Sequence, residues 1–93
     1  MNQEYQVKTT IQDIEEKPDK NNNRFYKVSI VWDLGKTRVF YAFANDFNLK
    51  AETLKLLTNS PESLINQRAT ITYQELDNKD KNRTFGRIKE IEI

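Results

Sequence analysis

Hydrophobic periodicity along this chain changes type only twice. Three segments before residue 45 alternate with a period of two, one segment near 49–59 follows the helical period, and two more segments alternate up to Ile93. Within the first, residues 5–16, the residues Tyr5, Val7, Thr9 and Ile11 share a parity that shifts at Ile14. A one-residue shift inside a strand marks a β-bulge, the device that bends strands at barrel corners. Residues 24–33 set Tyr26, Val28, Ile30 and Trp32 against Phe25, Lys27, Ser29 and Val31. The first set is larger and more apolar, which predicts that it faces the core. Gly35, in Asp33-Leu34-Gly35-Lys36, can supply the positive φ of a hairpin leading to the third strand, Thr37–Ala44.

The helical segment, about Leu49–Asn59, carries Leu49, Leu54, Leu56 and Leu57 on its apolar side, with Asn48 as the expected N-cap. Pro61 stops it, and Ser60-Pro61-Glu62 reads as the start of one further short turn. Strands are predicted again over Arg68–Leu76 and Arg83–Ile93. The loops Lys17–Asn23 and Asp77–Asn82 are polar and rich in turn residues. Three strands, a helix and two strands predict an all-β domain with one helix, spanning 1–93: a five-stranded OB-type Greek-key barrel with the helix between strands three and four. An SH3-like barrel is the alternative, but it does not normally place a three-turn helix there.

Composition removes several chemistries. With no cysteine and no histidine, disulfides, thiolate metal sites and the commonest general base are all excluded. Only carboxylate-oxygen metal sites remain possible, and no Asp-x-Asp-x-Asp-Gly loop is present; no metal or other cofactor is expected. No apolar run approaches the ~20 residues of a membrane span, and Met1-Asn2-Gln3-Glu4 does not open a signal peptide, so a cytoplasmic protein without membrane contact is expected. The 15 basic residues face 14 acidic ones. A phosphate-binding surface would therefore have to arise from segregation of charge, since the total supplies no basic excess.

The segments Val7…Ile11…Ile14-Glu15-Glu16 and Arg24-Phe25-Tyr26-Lys27-Val28-Ser29-Ile30 resemble the first hairpin of single-stranded-DNA-binding and replication-factor OB domains. The run from Arg68 to Leu76, followed by Arg83-Thr84-Phe85-Gly86-Arg87-Ile88-Lys89, resembles the last two strands of the OB domain in ATP-dependent DNA ligases. The Pro that typically follows the Arg of that last strand is missing, as is the adenylating Lys-x-Asp-Gly motif. The resemblance thus implies a binding module serving replication or repair, and no ligation chemistry.

In OB barrels, strands two and three and the loops joining strands one–two and four–five commonly contact single-stranded ligands. Lys17, Lys20, Lys79 and Lys81 lie in those loops here, where they line a backbone-tracking groove or simply solvate the loops. Phe25 beside Lys27 suits base stacking, worth on the order of 1–3 kcal/mol per base, unless it packs under a loop. Strand three is ambiguous. If Val39, Tyr41 and Phe43 face the core, Arg38 and Phe40 join Phe25 and Lys27 outside; with the opposite parity, Tyr41 and Phe43 are the outer aromatics. Arg83 and Arg87 are further candidates for phosphate contact, while Arg68 reads as an ordinary surface cation. Glu15, Glu16, Asp77 and Asp80 have nothing in the sequence to gather them into an acid–base pocket.

The expected function is non-catalytic binding of single-stranded nucleic acid, DNA before RNA, as an accessory to replication or repair. The alternative is a protein-interaction OB subunit that docks onto a larger polymerase, primase or helicase, which the near-neutral charge favours. Catalysis ranks third.

Overall fold

Strands and helix form in the expected order. A computed structural model describes residues 3–32, 35–78 and 83–93, leaving aside the side chains of 78 and 83. Strands β1 (Glu4–Pro18), β2 (Arg24–Val31) and β3 (Thr37–Phe43) precede helix α1 (Ala51–Asn59) and a 3-10 turn at Pro61–Ser63; β4 (Arg68–Asn78) and β5 (Arg83–Glu92) follow. The strands close into a barrel in the order β1-β2-β3-β5-β4. Every neighbouring pair is antiparallel except β3 and β5, which run parallel through Phe40↔Gly86 and Tyr41↔Arg87. With the helix between β3 and β4, this is the OB-type arrangement.

β1 serves two partners, which is why it is long. Glu4 to Thr10 pair with β4, and Thr10 to Pro18 pair with β2. The ladder slips between Ile11 and Asp13, so the parity shift from Ile11 to Ile14 is a bulge at the barrel corner. There the Ile11 N–H donates to the Gln67 carbonyl (3.0 Å), and the Asn66 N–H donates to the Ile11 carbonyl (2.7 Å). β1 also runs past Glu16, so Lys17 belongs to a strand and not to the loop expected to hold it.

The barrel interior follows the alternation of β2, with Tyr26, Val28 and Ile30 buried. On β3 the inward residues are Phe40 and Ala42, both fully buried. Register explains the choice: Tyr26 lies opposite Ala42 and Val28 opposite Phe40, so a large side chain meets a small one at each level. Burial of Phe40 contributes roughly 1.5–3 kcal/mol, which an exposed ring would forfeit.

Helix α1 starts at Ala51, two residues later than the sequence suggests, and its N-cap is Lys50 rather than Asn48. The Asp46 carbonyl accepts the Leu49 N–H (3.2 Å) and its Oδ1 accepts the Asn48 N–H (2.9 Å), which holds residues 46–49 in turns. Thr53 and Leu57, four residues apart, supply the buried face, while Leu54 and Leu56 pack at its margin. Thr53 Oγ1 accepts the Ile91 N–H at 3.0 Å and so ties the helix to the end of β5. Farther back along β5, beside Gly86, Arg38 and Glu75 pair; the guanidinium lies 4.7 Å from the Phe40 centroid and 5.3 Å from that of Tyr73.

Candidate functional site

Cross-strand partners share a face of a sheet, so the register orders the outer residues into rows. One row runs Glu15–Lys27–Tyr41–Arg87–Gln74 across β1, β2, β3, β5 and β4. The next runs Lys17–Phe25–Phe43. Inward Tyr26, Phe40 and Ala42 force this result, because their neighbours in sequence must then point out.

Four rings meet on that face. Phe25 lies 6.2 Å from Tyr41 and 6.0 Å from Phe43, both tilted, while Phe85 of β5 stands edge-on to Tyr41 at 6.1 Å and to Phe43 at 6.4 Å. All four are partly exposed. Lys27 makes no ion pair among the described residues, and Lys17 only a loose one, 3.6 Å from a half-exposed Glu15. Exposed pairs of that kind contribute little and leave the cation available.

A cleft of about 290 Å³ continues the aromatic face past Phe43 and Phe85. Leu76, Asp46, Phe47 and Arg87 complete most of its lining. Arg87 Nη2 donates to Gln74 Oε1 (2.7 Å), and its Nε lies 3.3 Å from Asp46 Oδ2. The Asp46 side chain is only 8% exposed. Its Oδ2 and the facing Arg87 Nε are buried but do not reach hydrogen-bond geometry. The Asx turn at Asp46 presents Phe47 at its tip, and that ring is fully exposed.

The structure therefore brings together Lys17, Phe25, Lys27, Tyr41 and Arg87 of the residues expected to bind. Phe40 is a correction, since it is fully buried in the core and has no outer surface. Arg38 is another, because it shares the inward parity of Phe40 and its guanidinium is engaged by Glu75 over two rings. Lys20 is exposed in a turn built on Asp19, whose Oδ1 accepts the N–H groups of Asn21 and Asn23, with Asn22 at φ 63°. Lys79, Lys81 and the Arg83 side chain lie outside the described residues.

Phe43 completes the cluster on one of the two parities left open by the sequence. Phe85 was passed over, although it shares a parity with Arg87 on the last strand. Asp46 and Phe47 were also missed, although Asp46-Phe47-Asn48 carries an Asx-turn signal.

Burial pushes the Tyr26 phenol above its ordinary value, and the neighbouring Glu16 carboxylate adds to the shift. That phenol faces away from the outer rings. Among the described residues no three acidic side chains converge to hold a metal ion, and no helix is long and apolar enough to cross a membrane. No protein-family model and no curated protein matches this sequence.

Proposed function

We propose that the outer face of β2, β3 and β5 binds single-stranded nucleic acid, DNA first, without catalysing a reaction. The observation that carries this reading is the continuous cluster of Phe25, Tyr41, Phe43 and Phe85 with Lys17 and Lys27 beside it. Single exposed hydrophobic residues need no explanation, whereas a contiguous aromatic patch marks a surface that something covers. Unpaired bases are suitable covers because every base has a π face, and stacking contributes about 1–3 kcal/mol each whatever the sequence. The two lysines supply phosphate contacts at the margin. By resemblance, such a module serves replication or repair as an accessory.

The reading is tested by fluorescence anisotropy of a labelled oligonucleotide of about 16 nucleotides, the upper site size of an OB barrel. Saturable binding that weakens with salt and exceeds binding to duplex is the expected result. The salt dependence should be shallow, with a log–log slope near −0.7 for each phosphate contacted. Absence of binding at low salt would refute the proposal.

One observation favours a second reading. Arg38 and Arg87 each hold a carboxylate partner in a part-buried pair, so neither guanidinium is free to meet a phosphate. The aromatic face would then dock onto a protein, as an OB subunit of a polymerase, primase or helicase assembly. Co-purification with such an enzyme, together with no measurable affinity for oligonucleotides, would select this alternative.

A further inference from the structure

We infer that the cleft between Phe47 and the Phe43–Phe85 edge seats one unpaired base and prefers guanine. This inference rests on the nucleic-acid reading above and adds a base specificity that stacking alone would not produce. At about 290 Å³ the cleft falls just below the range of about 300–1,000 Å³ that drug-sized ligands occupy, which suits a single planar ring system. Its walls are aromatic and apolar through Phe43, Phe47, Phe85 and Leu76.

The polar edge of the cleft selects among bases. Arg87 offers donors only and Asp46 acceptors only. Their charges offset each other at 3.3 Å, so the pair attracts a phosphate weakly but still presents hydrogen-bonding groups to a neutral ligand. Both have capacity left. Of the five guanidinium N–H groups, one is donated to Gln74, and the carboxylate accepts one N–H, from Asn48. Asp46 Oδ2 and Arg87 Nε face each other as a buried ion pair just short of hydrogen-bond geometry, which fixes the polar edge in place.

The Watson–Crick edge of guanine is the complement, with the O6 acceptor for Arg87 beside the N1–H and N2–H donors for Asp46. Adenine and cytosine each place one exocyclic amine there, and thymine one ring N–H, so none offers a carboxylate two adjacent donors. In a duplex that edge is consumed by pairing, so the same contact also selects single strands.

The test compares labelled all-thymine DNA of about 16 nucleotides with the same strand carrying one central guanine, adenine or cytosine, all titrated with the full chain. Guanine should tighten binding by about fivefold or more, the lower end of what a good bidentate base contact gives, and adenine and cytosine should not. Asp46→Asn, checked for folding by thermal melting, should abolish the preference. Phe47→Ala, at a fully exposed tip, should weaken binding of the guanine strand by at least about fivefold, the lower end for a lost stacking contact. Binding of the thymine strand with no gain from guanine, a preference that survives Asp46→Asn, or guanine-strand binding unchanged by Phe47→Ala would overturn the inference alone. Failure to bind any of the strands would overturn the nucleic-acid reading as well.

Discussion

Replacing Gly86 with alanine should destabilise this protein, against the sign that strand propensity gives. A glycine inside a strand is ordinarily worse than alanine by roughly 0.5–1 kcal/mol, so propensity alone predicts a gain. Gly86, however, stands opposite Phe40 where β3 and β5 close the barrel. A β-carbon there would come within 2.5 Å of Phe40 Cε1 and closer still to Cδ1, whereas ordinary contact begins at 3.4 Å. The ring would have to withdraw by about 1 Å in an interior packed as densely as an organic crystal. It has no room, being fully buried with the Tyr73 centroid 4.5 Å away. Overpacking of this kind costs about 1–3 kcal/mol, and contact with two ring atoms puts the expectation at about 2–3. For a domain of 93 residues that lowers Tm by between about 8 and 24 °C. Thermal melting followed by circular dichroism measures it. Phe40→Leu in the same chain should relieve the clash, so the double variant should be more stable than the sum of the single effects implies. A Tm within about 2 °C of the wild type, or strict additivity in the double variant, would refute the reasoning.

Three further expectations concern other parts of the barrel. Phe25→Ala with Lys27→Ala should weaken single-stranded DNA at least about fivefold in the anisotropy titration, since a stacking platform and a phosphate contact go together; unchanged affinity would remove the outer face as the site. Thr53→Val strips the acceptor from a buried Ile91 N–H and should cost about 1–3 kcal/mol in urea unfolding, with an unchanged m-value. Tyr26 should contribute to alkaline unfolding. Its folded-state value lies above the ordinary 10.0, so above about pH 10 the unfolded chain sheds this proton first and stability falls as pH rises. Tyr26→Phe should flatten that part of the pH–Tm profile.

Much of this molecule follows from short-range pattern. The order of strands and helix, the bulge near Ile14, the positive φ of Gly35 (+78°) and the turn begun by Ser60-Pro61 were all legible. Each depends on side-chain periodicity or on a backbone preference expressed within a few residues. The helix start was misjudged because two signals competed over the same residues. Asn48 is a plausible cap in isolation, but Asp46 holds residues 46–49 in turns and the helix begins only at Ala51.

β3 marks where the sequence stops being sufficient. Aromatics on both parities left two inward sets open, and the choice depends on which side chains fit across from Tyr26 and Val28. That choice sent Phe40 inside and Tyr41 and Phe43 outside. The cluster and cleft required more still, since Phe85 is more than forty positions from Phe43 and Tyr41 in the chain and meets them only because β5 closes on β3. Periodicity, being local, determined which segments are strands and which face of β2 is apolar. Closure of the barrel, a long-range packing event, decided which aromatics remain at the surface and meet there.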